Sequence, residues 1–446
     1  MILKSIDIEN FACFQHYHMD FSPGMSVLIG RNGAGKTSLL KAVVYALNFI
    51  FTADRTMGEE FLSAGNPDLR VKSISNNEFY RRKAVGESSQ FANLHGVLQY
   101  GGENLQWDIF KRSTPKASVN PSRYRNAYHA FMRISKQQGT LPLLAYYSDS
   151  FPHKEANLSS FAKEQIANQD NILRNFGYYQ WDNETACTSI WQNRLENSII
   201  MDLQIGEDNP FIHDEVEYVT SCLRQCSIPI NNQCDKSYII EKVFVIFDEN
   251  KQPQLWLHLK NGNDVLFDNL PAGYKRIYSI VLDLAYRAYL LHRGPSPEPK
   301  GIVLIDEVAL HLHPTLAMEI LERYRRLFPS LQFIVTTHSP LVVTSLRSND
   351  GVNQVYRLMN GKETPHLMPN LYGLDYNTSL INALETDGGD DRIRDIRETI
   401  LRAKRLKHER LERLKKEELS KYLSKSDYEQ VISQIEAEYQ KYAVDQ

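Results

Sequence analysis

Long apolar runs are missing from this 446-residue chain, and none approaches the ~18 residues that a membrane-crossing helix needs. Cysteine is scarce as well. The five thiols, Cys13, Cys187, Cys222, Cys226 and Cys234, are odd in number and read as reduced, which excludes a disulfide framework. Cys222, Cys226 and Cys234 with His213 match no common zinc spacing, and Cys222 and Cys226 read as two buried positions one helical turn apart. Neither charge sign dominates, with 51 Lys and Arg against 54 Asp and Glu. That balance does not mark a general nucleic-acid binder, though local patches stay open. The start, Met1-Ile2-Leu3-Lys4-Ser5-Ile6-Asp7-Ile8, alternates like a strand and lacks the plan of a secretory leader, so a cytoplasmic protein without membrane contact is expected. A composition of 42% hydrophobic and 24% charged residues suits a globular chain of two or three domains.

What the chain does have is a phosphate loop. Gly30-Arg31-Asn32-Gly33-Ala34-Gly35-Lys36-Thr37-Ser38 follows the apolar run Met25–Ile29 and precedes a segment, Leu39 to Leu47, that is apolar at helical spacing. Glycines let the backbone curl so that successive N–H groups face phosphate oxygens, and the helix start adds positive partial charge. All nine residues are therefore candidates for nucleotide binding, with Lys36 reaching the β- and γ-phosphates and Thr37 coordinating Mg²⁺. A nucleoside triphosphate is the expected ligand.

Two later strands return to the same chemistry. Gly301-Ile302-Val303-Leu304-Ile305 ends in Asp306-Glu307, a Walker B pattern in which Asp306 would hold Mg²⁺ and Glu307 would polarise the attacking water. After a crossover helix at about 315–328, Leu331–Thr337 delivers His338, placed to contact the γ-phosphate. Leu270-Pro271-Ala272-Gly273-Tyr274-Lys275-Arg276 opens a helix running to about Leu291, and basic residues in its first turn would make a second anion site. In one subunit this site cannot reach the P-loop's phosphate; a second copy facing the first would bring it there.

Between these motifs the chain reads as an insertion. Phe11, Phe14 and Tyr17 could stack on a base or pack the sheet edge. A polar stretch runs from Thr56 to Ser89, and a hairpin spans Ala92–Tyr100 and Asn104–Lys111 about Gly101-Gly102. Lys111 to Arg133 is basic with Tyr124 and Tyr128 interleaved, either a nucleic-acid contact or a solvated face. Leu141–Tyr147 looks like a buried strand returning to the main sheet, 155–225 is mainly helical, and 238–247 pairs with 253–260. No heptad run is long enough for a coiled-coil arm.

The P-loop, the Leu-x-x-Gly signature, Asp-Glu and Thr-His-Ser-Pro, in that order, resemble the ATP-binding-cassette (ABC) heads of SMC, RecF and OLD type. Ile305 to Pro314 is similar to the Asp-Glu-x-x-x-His-Leu-His-Pro segment of OLD-like bacterial ATPases. Weaker similarity at Leu141–Ser148 and Tyr372–Asn377, with the helical tail, resembles the Septu and retron-associated anti-phage ATPases of the PtuA kind. The resemblance implies an α/β fold: an ABC-type head with a mixed sheet flanked by helices, from 1–52 and 265–372. An inserted α/β region (53–264) and a C-terminal helical, partner-docking tail (373–446) complete it. It further implies ATP and Mg²⁺ as cofactors, and Glu307 and His338 as catalytic residues. Leu270, Gly273, Tyr274 and Lys275 would act as a signature in trans, within a homodimer or higher homo-oligomer. The usual partner is a separate HNH nuclease, PtuB-like. Pro271 stands where a γ-phosphate-contacting serine is usual, so slow turnover is expected. Val308-Ala309 replaces Pro-Glu, Ala12 replaces a basic residue, and Gln90 and Gln99 are candidates for a Q-loop glutamine.

The tail shifts in composition after Tyr372. Asp387 to Asp391 reads as a loop and not as a nuclease metal site, so nuclease activity is not expected of this chain. Arg392 to Lys416 reads as one basic amphipathic helix, and about Lys425 to Tyr442 as a second. Two functions compete: an ATPase switch for an anti-phage nuclease, and a RecF-like clamp on duplex DNA. Steeply salt-dependent DNA affinity of the isolated protein would favour the clamp. A transporter subunit is disfavoured by the long insertion and the missing Leu-Ser-Gly-Gly-Gln.

Overall fold

The computed structural model describes residues 1–53, 66, 69–81, 89–114, 117–150, 159–167, 172–182, 189–205, 209–230, 236–296, 298–348, 351–374, 391–406, 408–422, 428–429, 431–436 and 439. The chain divides into two compact units, Met1–Ser379 and Leu380–Gln446.

Among the described residues the first unit is built on three sheets. Strands β1 (Ile2–Phe11) and β2 (Phe14–Asp20) form an antiparallel sheet that β4 (Phe91–Tyr100) and β5 (Glu103–Arg112) complete, in the order β2-β1-β4-β5. Between them in the chain come β3 (Met25–Ile29) and α1 (Lys36–Leu47), the strand and helix expected on either side of the phosphate loop. The following elements are α2 (Arg125–Gln138), β6 (Leu143–Tyr147), α3 (Ser160–Ala167), α4 (Ser189–Ile205) and α5 (Pro210–Ser227). Then β7 (Ile240–Phe247), β8 (Pro253–Leu259) and β9 (Asp264–Leu266) make a small antiparallel sheet that leads into the long helix α6 (Ala272–His292).

The main sheet closes with β10 (Gly301–Ile305), α7 (Pro314–Ala317), α8 (Ile320–Leu327), β11 (Leu331–Thr336), α9 (Pro340–Ser345), β12 (Asn353–Arg357) and β13 (His366–Leu367). Its order is β13-β12-β3-β11-β10-β6, with the five strands from β12 to β6 parallel and β13 antiparallel. Every residue of β3, β6, β10 and β11 is buried, as parallel strands covered on both faces require. Because the strands run the same way, the turns after β3, β10, β11 and β6 emerge on one edge of the sheet. That is where ligands of open α/β sheets bind.

The two larger sheets are joined by polar bonds as well as packing. Gln332 on β11, fully buried, bonds the Leu3 N–H and carbonyl and the Ser22 carbonyl. The span 53–264 is therefore not a body of its own: β4 and β5 finish the sheet begun by β1 and β2, and β6 fills the main sheet as its sequence suggested. Most of the polar stretch Thr56–Ser89 lies outside the described residues.

Helix α6 is the axis of the unit, with all but its ends buried. Asp283 at its middle accepts from the Tyr147 hydroxyl on β6 and the Trp191 indole on α4. Arg287, one turn on, pairs with Asp283 at 2.6 Å and donates to the Gly177 and Tyr179 carbonyls. A buried charge persists only when paired and hydrogen-bonded, and here both conditions are met.

Three expectations change. The crossover is two short helices, α7 and α8, not one. Of the two readings left open for the basic segment, base stacking loses its aromatics among the described residues: Tyr124 and Tyr128 are core residues, Lys111 is buried on the Ile74 carbonyl, and Arg133 pairs with Glu103. In the second unit the single tail helix is two, Asp391–Arg405 and Glu409–Leu419. His408 makes the break: its N–H closes on the Ala403 carbonyl, and its imidazole accepts from the Leu411 N–H. Ile396, Ile400, Leu401, Leu419 and Ile435 form that unit's core. The Asp387–Asp390 loop, Cys234 and Asp375–Asn377 lie outside the described residues.

Candidate active site

The site begins with the turn after β3. Gly30, Gly33 and Gly35 all have positive φ, at 146°, 80° and 95°. Only glycine takes such a sequence of conformations without strain, and at Gly35 the space is closed too: a Cβ would lie 2.5 Å from Phe14 and 2.8 Å from Cys13. Gly33 faces open space, as a residue that must admit a ligand should. The first turn of α1 carries no acid of its own, so its N-terminal partial charge faces the loop unopposed from within the helix.

Lys36 and Thr37 start that helix and point into a cleft of about 500 Å³. Its lining includes Asn32, Lys36, Thr37, Asp306, Glu307 and His338. Thus the three separated motifs meet in one place. Thr37 Oγ1 donates to Asp306 Oδ2 at 2.7 Å, and Asp306 Oδ1 accepts from the Thr336 hydroxyl. Lys36 folds back onto the Gly30 and Arg31 carbonyls at 2.8 and 3.2 Å. Burial lowers its pKa, opposed by the charges of Glu307 and Asp306, so an anion bound here would relieve an ammonium short of water.

Glu307 sits in the left-handed region, φ 49°, with its carboxylate held by the His338 N–H at 3.1 Å and the Thr337 hydroxyl at 3.3 Å. Its own N–H is bound by Thr336 Oγ1 at 2.8 Å. Backbone strain at a carboxylate-bearing turn is retained when the surroundings over-determine it, as they do here. Thr336 positions both acids at once. It went unremarked in sequence because a Thr at a strand end is unexceptional by itself. Cys13, Asp149 and Leu310 also line the cleft without having been singled out there.

A hard divalent ion and a triphosphate fit this set. A hydroxyl and a carboxylate in contact supply oxygen donors of the kind Mg²⁺ takes, and the loop supplies N–H groups and a lysine for phosphate.

The signature residues are placed differently. None of Leu270, Gly273, Tyr274 or Lys275 lines the cleft. Gly273 packs so tightly on the turn after β10 that a Cβ would lie 2.7 Å from the His311 carbonyl. Lys275 is committed to Asp268 at 2.5 Å, and Tyr274 packs on Tyr238 with centroids 4.3 Å apart. The exposed part of this end is Pro271–Ala272. Arg276 turns inward: nearly fully buried, it donates to the carbonyls of Ser148, Asp306 and Glu307 at 3.2, 3.0 and 3.5 Å. The first-turn cations of α6 are thus internal fasteners, not a free anion site.

Phe11, Phe14 and Tyr17 are all buried, which settles them as packing residues; Phe14 and Tyr17 lie 4.5 Å apart and Phe14 backs the phosphate loop. Gln99 sits on β4 opposite Asn104 and Gln90 just before that strand, so neither reaches the cleft. Cys222 and Cys226 are buried on α5, and burial pushes their thiols up to about 12 and about 11. Among the described residues no helix is long and apolar enough to cross a membrane, and no group of three or more His, Cys, Asp or Glu could hold a metal by itself.

Over residues 25–344 the chain matches the family described as AAA domain, a description that also names the AbiEii toxin and Type IV TA system. It is 39% identical over 417 residues to the Retron Ec83 probable ATPase of Escherichia coli, covering 81% of this chain and 72% of that one. It is 25% identical over 354 residues to the Septu protein PtuA of Bacillus mycoides, covering 77% of this chain and 39% of that one. The SMC head domain from Thermotoga maritima is similar at a TM-score of 0.42 and 13% identity, over 83% of this chain and 99% of that one.

Proposed function

This chain belongs to the AAA domain family, and from that membership we propose an ATPase whose two copies close around ATP and thereby control a separate nuclease in anti-phage defence. The observation that carries the reading is the make-up of the cleft. Lys36, Thr37, Asp306, Glu307 and His338 converge there, while the Gly273 end of α6 stays outside it. One wall is left for a second copy to supply, with the exposed start of α6 approaching the γ-phosphate of its neighbour.

In this reading the phosphate-loop N–H groups and Lys36 hold the triphosphate. Thr37 and Asp306 hold Mg²⁺, which neutralises phosphate charge when bound. Glu307 leaves the His338 N–H and orients water for in-line attack, and His338 takes up contact with the terminal phosphate. Pro271 offers no hydroxyl at the trans contact, so turnover is slow. The likeness to retron and Septu proteins supports a defence role; the HNH-type partner is what the resemblance in the motifs implies. The second unit, with Leu406 and Leu414 exposed beside its basic residues, is the docking surface we assign to that partner. Nucleic acid is then met through the partner.

The test is purification from the native operon followed by mass measurement. A stable complex with a small HNH protein, gained or lost on adding ATP, is expected. Recovery of the chain alone on DNA, with affinity falling steeply in salt, would instead indicate the clamp.

A further inference from the structure

Beside Asp306 and Glu307 the cleft has a third carboxylate, Asp149. It lies two residues past the end of β6, which runs parallel to β10 with Tyr147 opposite Ile305. The strand pairing ends at that pair, and both chains turn there, so Asp149 and the Asp306-Glu307 pair leave neighbouring strands at the same edge of the sheet. The backbone bond from the Asp306 N–H to the Tyr147 carbonyl, 2.7 Å, shows the pairing persisting to this point.

Arg276 anchors the backbone just before Asp149. Its guanidinium, 2% exposed, reaches the carbonyl immediately before Asp149 and the carbonyls of both Asp306 and Glu307. One buried cation from α6 therefore ties the turn after β6 to the backbone of the two acids. On the other side the Ser148 and Ser150 hydroxyls lie 3.0 Å apart, bracketing Asp149. A solubilising acid on a loop needs no such anchoring. The cleft's lining then counts three carboxylates against one lysine. That surplus of oxygen suits a hard divalent ion, which keeps several of its waters when bound.

We infer that Asp149 is a positioning residue for the metal. Its carboxylate accepts hydrogen bonds from water in the Mg²⁺ shell, while Thr37 and Asp306 supply the direct protein oxygens. The inference rests on the nucleotide reading above and adds to it a residue from a different strand. Outer-shell groups of this kind shift metal affinity by roughly 10–100-fold when removed.

The experiment uses Mn²⁺ as the probe, its free signal followed by electron paramagnetic resonance. The full chain carries a non-hydrolysable ATP analogue, and analogue binding in EDTA is measured in parallel. Asp149→Asn is expected to bind the analogue in EDTA at least as tightly as wild type, since a negative charge has left the cleft. Its Mn²⁺ midpoint should rise about tenfold, with Asp149→Glu recovering part of the loss. An unchanged midpoint overturns the assignment, and so does weakened binding in EDTA, which would mean general damage to the cleft. Absence of nucleotide-dependent Mn²⁺ uptake by the wild type is a different failure and strikes the nucleotide reading itself.

Discussion

Thr37 and Asp306 stand 269 positions apart in the chain and meet through a hydrogen bond of 2.7 Å at the edge of the sheet. Everything proposed for the site depends on that meeting. The hydroxyl opens α1, the carboxylate closes β10, and Thr336 on the strand between them holds the other carboxylate oxygen. The two oxygens, in hydrogen-bond contact here, are donors of the kind a small divalent ion takes.

Asp306→Asn keeps a hydrogen-bonding group of the same shape and removes the charge. Binding of ATP in EDTA should stay within about twofold, while Mg²⁺-dependent hydrolysis falls on the order of 100-fold. Calorimetry without metal and phosphate release with it measure the two halves. Equal losses in both would mean that Asp306 supports the fold of the loop and not the ion.

Gly35→Ala tests the loop. At φ 95° with Phe14 2.5 Å from the new Cβ, the methyl group cannot be placed without moving the loop or the aromatic ring. A stability loss of about 1–3 kcal/mol and at least a tenfold loss of ATP affinity are expected. Chemical denaturation and a titration with nucleotide check them separately.

How far such outcomes could be read from residues alone differs along the chain. The loop from Gly30 to Ser38 is legible because its pattern is local: glycines at 30, 33 and 35 take the positive φ that turns β3 into α1 within a few residues. The strand ending in Asp306-Glu307 is legible because five buried apolar residues before two acids have few other uses beside a P-loop. Lys275 and Arg276 misled for the opposite reason. A cation in a helix's first turn suggests an anion site, but α6 is buried nearly all round. Its cations were therefore taken up by Asp268 and by strand-end carbonyls. Thr336 acts through neighbours on another strand, and Asp149 lines the cleft from the turn after β6; no local pattern marks such residues. The tail broke at His408 because an imidazole cap and a backbone closure outweighed a nearly continuous apolar stripe.

Arg276→Met should leave the Ser148, Asp306 and Glu307 carbonyls without their shared donor. A stability loss of about 2–3 kcal/mol is expected. Alongside it, kcat should fall at least tenfold while KM for ATP changes about threefold or less, since the phosphate loop is untouched. Arg276→Lys should rescue little, because a single ammonium does not reproduce the planar fork. A KM change larger than the kcat change would place Arg276 in nucleotide binding instead.

Glu196 on α4 gives a pH signature. Burial raises its carboxyl from 4.5 to about 7, against hydrogen bonds from Gln192 and the Leu255 backbone. The folded state therefore holds a proton that the unfolded chain releases, and stability falls as pH rises from about 4.5 through about 7. Glu196→Gln should remove that slope. The variant should gain about 1–2 kcal/mol over wild type at pH 8 and show no gain near pH 4.5. Denaturant midpoints across that range decide it, and a constant difference would assign the effect to packing.

The central claim is that the cleft is completed by a second copy. Glu307→Gln retains the loop, Lys36 and the metal-facing oxygens while removing the group that orients water, so ATP should bind and persist. The direct measurement is the solution mass of this variant by light scattering with ATP and Mg²⁺, beside Lys36→Ala under the same conditions. A doubling of mass, with one ATP per chain, that disappears in Lys36→Ala is the predicted result. A Glu307→Gln protein that keeps the same mass with and without saturating ATP would contradict the account.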